Sequence, residues 1–187
     1  MKKLNRINEY LGLLKETIDK VDHSEIMKVV ESLQNAKNSN KKIIIFGNGG
    51  SAATASHFAC DINKGVSYGE SVRYKVLALT DNIATILAYA NDVSYEDIFL
   101  EQLKNFIEEG DVVIGISGSG NSKNVLKAIE YANLNGNETI GITGYNGGKL
   151  KKMAKKNLNA PVDDMQISED LHMVFVHLVM KILIDRL

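Results

Sequence analysis

Apolar residues recur at three- and four-residue intervals through the first 38 positions: Leu4, Ile7, Leu11, Leu14 and Ile18, then Ile26, Val29, Val30 and Leu33. This is the spacing of two amphipathic helices. Such a stripe must be buried. Packing on the domain's own sheet is the expected outcome, with a subunit interface as the alternative because the first stripe also fits coiled-coil spacing. From residue 42 the pattern changes. Short, mostly continuous apolar runs at 42–46, 74–79, 111–116, 139–143 and 157–160 alternate with stretches of helical character at 51–63, 82–90, 94–107, 122–135, 147–155 and 168–186. Strands without polar alternation belong to parallel sheets covered by helices on both faces. The pattern therefore predicts an α/β protein, a three-layer αβα doubly wound parallel sheet behind an N-terminal helical hairpin.

This order of elements is flavodoxin-like and expects ligands at the carboxyl ends of the strands. The chain of 187 residues, 44% hydrophobic, fits one domain over 1–187: residues 1–38 serve packing or oligomerisation and 39–187 form the core. Twenty-two Lys and Arg against 23 acidic residues give no global positive field, so neither nucleic acid nor a membrane surface is expected as a partner. The apolar stretches at 42–46 and 171–184 are too short or too interrupted by charge to span a bilayer. The single cysteine, Cys60, excludes an intramolecular disulfide framework, and Met1-Lys2-Lys3-Leu4-Asn5 is followed by no apolar signal core, so a cytoplasmic location is expected.

Two strand-to-helix junctions carry the candidate chemistry. The run 43–46 leads directly into Gly47-Asn48-Gly49-Gly50-Ser51, where glycines let backbone amides approach a ligand and Ser51 opens a helix whose positive end favours an oxyanion. No Gly-Lys-Ser/Thr follows, and Ala52 breaks the dinucleotide fingerprint, so nucleotide binding is disfavoured. Taken alone, the loop could be no more than a tight turn. A second cluster, Ser117-Gly118-Ser119-Gly120-Asn121-Ser122, follows Ile114-Gly115-Ile116. Serines at a helix start are commonly caps. Two clusters at two strand ends favour a bound phosphate monoester, and the absence of Lys and Arg argues against phosphoryl transfer.

Elsewhere, His57 and Asp61 stand four residues apart on one predicted helix and could ligate one divalent ion, although such pairs are more often local surface contacts. Cys60 reads as a small buried residue. His177 lies among Phe175, Val176, Leu178 and Val179, where a satisfied core histidine is the default. His172, five residues earlier, points about 140° away, so the two cannot share a pocket.

Gly-Asn-Gly-Gly-Ser followed by Ala-x-x-x-His-Phe-Ala, then Ala-Asn-Asp, then Gly-Ile-Ser-x-Ser-Gly-Asn-Ser, resembles the sugar-isomerase (SIS) domain family, and within it the phosphoheptose isomerases. The resemblance implies conversion of sedoheptulose 7-phosphate to D-glycero-D-manno-heptose 7-phosphate by a homotetramer with one zinc ion per subunit. It implies that Asn48, Gly49, Gly50, Ser51, Asn91, Asp92, Ser117, Gly118, Ser119, Ser122 and Glu169 bind substrate, with Ser117, Ser119 and Ser122 on the phosphate. His57, Asp61, Glu169 and His177 would hold the metal, with Asp61 and His177 catalytic. Asp61 and Glu169 stand where these isomerases usually have Glu and Gln, and Gly118 where Thr is usual. On a straight helix Glu169 and His177 would be about 12 Å apart along the axis and could not easily share one ion, so either the backbone before Asp170 is not helical or the two serve different ends of a site, completed by another subunit. The alternatives are an isomerase for another sugar phosphate, or a non-catalytic SIS protein acting as partner of the DNA replication initiator.

Overall fold

The computed structural model describes residues 2–184, and of Lys2 the backbone only. Helices α1 (Lys2–Ile18) and α2 (His23–Asn38) precede five strands, β1 (Lys42–Gly47), β2 (Lys75–Ala78), β3 (Val112–Ser117), β4 (Glu138–Gly144) and β5 (Lys156–Ala160). All pair in parallel in the order β2-β1-β3-β4-β5. Strand order reverses between β1 and β3, which opens a crevice at their carboxyl ends.

The strands form because β-branched residues fill both faces. Ile43 and Ile45 face a layer made by α2, α3 (Gly50–Cys60) and α8 (Met165–Ile184). Ile44 and Phe46 face α5 (Ile98–Phe106), α6 (Lys123–Leu134) and α7 (Gly148–Met153). All four are fully buried, and each stabilises the fold by roughly 1.5–3 kcal/mol through removal of apolar surface from water. Phe46 stacks on Phe99 at 5.0 Å, so Phe46→Ala is the β1 change expected to cost most, about 3–5 kcal/mol.

Helix boundaries fall near those expected, with instructive exceptions. The helix foreseen at 51–63 stops at Cys60 and continues as a π-helical turn, Asp61–Val66, where Gly65 packs so closely on the Met180 methyl that a Cβ there would collide with it. Ser94 leads into a 3-10 turn, Tyr95–Asp97, ahead of α5. The last helix starts earlier than foreseen, at Met165, and its expected end at 186 lies outside the described residues.

The α1 stripe departs from the expectation that it packs on the sheet. Leu4, Ile7, Leu11 and Ile18 remain exposed, and only Leu13 and Leu14 touch the core. α1 is instead tied to α8 by the Tyr10 hydroxyl, which donates to Asp170 Oδ2 at 2.5 Å; this bond to the carboxylate, more than any other cause, pushes the Tyr10 pKa up to about 12. A second helix, α4 (Ile83–Asp92), buries none of its residues and exposes Ile83 and Leu87.

Candidate active site

The crevice between β1 and β3 receives both loops. Helices α2 and α4 are capped by the side chains of Asp22 and Asn82, but α3 and α6, the two helices that start at the crevice, have no side-chain cap. Ser122 holds the capping position of α6, yet its hydroxyl pairs with that of buried Ser117 at 3.0 Å. The serines are thus not spent as caps; Val125 N–H is taken by Asn124 Oδ1 and Ala52 N–H by the loop carbonyls of Asn48 and Gly49, and the amides of Gly50 and Ser51 on α3 and of Lys123 and Asn124 on α6, which have no partner within their own helix, point to a ligand at the positive helix ends. Exposed Ser119 accepts the Asn121 N–H at 3.2 Å and borders an open depression of about 640 Å³ that runs on to Tyr145 and Met165. Gly120 has φ +65 and packs against the backbone of Gly147, so no larger residue fits. Gly118 is closed in by Met165, whose Sδ would lie 2.6 Å from a Cβ at that position.

Asn48 bridges the two loops. Its carboxamide pairs reciprocally with that of Asn124 on α6, both bonds 2.9 Å, and Tyr95 donates to Asn48 Oδ1 at 2.9 Å. Ser51 is buried at the start of α3, and Gly49 and Gly50 are exposed. Asn91 and Asp92 lie at the exposed end of α4, bonded to each other at 2.7 Å, four and three residues before Tyr95. Asn124 and Tyr95 escaped the sequence reading, because their partner is 76 and 47 residues distant and no local spacing marks such pairs.

A second cluster lies about 10 Å along α3 from Gly50. His57 Nε2 and His177 Nε2 are 3.0 Å apart, and Asp61 Oδ2 is 3.3 and 3.9 Å from them. Asp61 Oδ2 is buried and accepts no hydrogen bond. The structure corrects three expectations. His177 is no core histidine, with its side chain 56% exposed, because at 100° per residue its apolar neighbours Phe175, Val176 and Val179 turn toward the core instead. Cys60 is exposed rather than buried. Glu169 does not join this cluster: α8 is one continuous helix, and the Glu169 carboxylate sits at the start of α3, its Oε1 2.9 Å from where a Cβ on Gly50 would be. His172, on the inner face of the same helix, is 1% exposed with neither ring nitrogen in a well-formed hydrogen bond, and burial pushes its pKa down to about 4 against the raising effect of the Thr143 backbone.

Comparison with known proteins decides the family. The profile of the SIS domain matches residues 7–144. The chain belongs to the SIS domain family. Within it, the SIS chain is 41% identical over 155 residues to a probable phosphoheptose isomerase of Thermoplasma acidophilum, covering 83% of this chain and 85% of that one. It is 37% identical over 163 residues to the phosphoheptose isomerase of Helicobacter pylori, covering 87% and 82%. The structure of phosphoheptose isomerase GmhA from Neisseria gonorrhoeae superposes with a TM-score of 0.87 at 28% identity over 97% of this chain and 96% of that one. The Francisella tularensis phosphoheptose isomerase gives 0.89 at 26% over 98% of each. These relatives place the chain in the phosphoheptose isomerase group of SIS proteins.

The cluster of this SIS protein suits a metal. Two imidazole nitrogens and one carboxylate oxygen lie within 4.8 Å of one another, the donor set of open catalytic zinc sites. The orphaned Asp61 Oδ2, buried without a donor, is what a cation would satisfy.

Proposed function

We propose that this protein interconverts ketose and aldose phosphates, converting sedoheptulose 7-phosphate to D-glycero-D-manno-heptose 7-phosphate by proton transfer. One observation carries the reading: a single chain holds both an uncapped, serine-lined phosphate cradle and a histidine–carboxylate cluster whose buried carboxylate oxygen, Asp61 Oδ2, has no hydrogen-bond donor. A binding module needs only the first. The reading of a non-catalytic partner protein leaves His57, Asp61 and His177 without a task.

Ser117, Ser119 and Ser122, with the Lys123 and Asn124 amides that open α6, hold the phosphate. Asn48, Gly49, Gly50 and Ser51 meet the sugar, flanked by Asn91 and Asp92, and Glu169 beside Gly50 accepts from its hydroxyls. Asp61 takes the proton from C1 of the ketose while His177 protonates the carbonyl oxygen on C2, which leaves an enediol. Asp61 then delivers its proton to C2 as His177 receives the proton of the C1 hydroxyl, which restores both groups and yields the aldose. His57 and Asp61, joined by His177 while its ring is neutral, would hold a zinc ion, one per subunit, whose chemistry there would be to polarise the oxygens of the sugar. A carboxylate has two oxygens, so Asp61 can serve ion and proton together.

The exposed apolar faces of α1 and α4 support a homotetramer. Among the described residues no helix is long and apolar enough to cross a membrane, which is compatible with the cytoplasmic location we assign. Metal analysis together with NMR observation of aldose formation tests the proposal. Zinc-loaded protein should turn over sedoheptulose 7-phosphate; silence on that substrate would sink the reading, and turnover of another ketose phosphate alone would reassign its substrate.

A further inference from the structure

The amide pair at the crevice has a defined polarity. Val125 N–H donates to Asn124 Oδ1 at 2.9 Å. A backbone N–H can meet only an acceptor, so this bond fixes which end of the Asn124 carboxamide is oxygen. Asn124 Nδ2 must then be the group that faces Asn48, and Asn48 must answer with Oδ1, while Asn48 Nδ2 donates back to Asn124 Oδ1. Tyr95 OH supplies a second donor to Asn48 Oδ1. A carboxamide has two acceptor sites on oxygen and two N–H donors. Both acceptor sites of Asn48 are filled and one N–H is used, so one N–H remains.

We infer that Asn48 acts on its ligand as a hydrogen-bond donor only, toward an oxygen of the phosphosugar, and that Asn124 and Tyr95 are the positioning residues that impose this polarity. Asn124 is 3% exposed and sits two residues after Ser122. The same contact therefore ties the glycine loop after β1 to the serine loop after β3, which sets the spacing between the sugar contact and the phosphate cradle. The inference rests on the assignment of the crevice to a phosphosugar.

The test reads binding rather than turnover, by calorimetry with sedoheptulose 7-phosphate and separately with inorganic phosphate. Asn48→Ala, Asn124→Ala and the exposed, packing-neutral Tyr95→Phe are compared with the double variant Asn48→Ala/Asn124→Ala. Asn124→Ala is expected to weaken the sugar phosphate about tenfold, the worth of one hydrogen bond, with Tyr95→Phe smaller. Inorganic phosphate binding should stay within about twofold. In the Asn48→Ala background, loss of Asn124 should cost almost nothing further, because it acts through Asn48. Full additivity, or equal losses for sugar phosphate and inorganic phosphate, would mean a purely structural role and overturn the inference. Normal affinity in Tyr95→Phe and Asn124→Ala together would do the same. Binding without turnover in the parent protein would refute the isomerase while leaving this test intact; absence of binding would end both.

Discussion

The crevice and the histidine cluster spend their polar groups in opposite ways. At the crevice, Asn48 is bonded to Asn124 and Tyr95, and Ser117 to Ser122, so a ligand there would meet a surface already set and lose little ordering on binding. At the cluster, two imidazoles face each other at 3.0 Å, and a buried carboxylate oxygen accepts nothing. Groups left in that state are costly to stability and available to a cation or a moving proton. In the function we propose, the contrast separates holding from reacting, and each end can be attacked alone.

The largest effect is expected at the reacting end. Asp61→Asn or His177→Ala should lower kcat by roughly 10²–10⁴, while calorimetry shows sugar-phosphate affinity little changed. Comparable losses in kcat and in affinity would erase the division. Removing divalent metal with a chelator should silence turnover, with zinc restoring it, and should lower thermal stability. An ion present at a hundred times its dissociation constant contributes about 2.7 kcal/mol. Inorganic phosphate binding should survive the chelator.

Next comes α8, which both regions share. His172 is buried with a folded pKa of about 4 against 6.5 unfolded. The folded state therefore binds fewer protons, so its stability is intact above about pH 6.5 and is lost as pH falls toward 4, by about 3 kcal/mol at pH 4. Urea titrations of the protein and of His172→Leu at pH 7 and pH 4 should show the variant losing less on acidification. The smallest effect belongs to Ser119→Ala, expected to raise KM about tenfold with kcat held.

Much of the fold was legible because its strands are bounded by glycine and polar residues: Ile43 to Phe46 ends in Gly47, and Ile114 to Ile116 ends in Ser117. The π-helical turn after Cys60 was not, since its widening is fitted to Met180 on a helix more than a hundred residues later. Motif and spacing brought the serine loop and the His57–Asp61 pair into view. The displacement of Glu169 from His177 was readable from helix rise alone. What sits beside Glu169 was not, because the approach of Gly50 arises from helix packing across the layer. The exposure of the α1 stripe was misjudged because periodicity tells that a face is apolar and says nothing about which surface covers it.

The unbroken course of α8 also constrains how this chain can vary over time. Glu169 lies at the crevice in its first turns and His177 in the cluster eight residues later, about 12 Å further and about 80° around. One residue gained or lost between them would swing one end by about 100° relative to the other. Replacements of single side chains on this segment can be absorbed, but changes in its length cannot. Residues 169–177 act as a ruler between two workplaces, and lineages that keep the activity should keep its count.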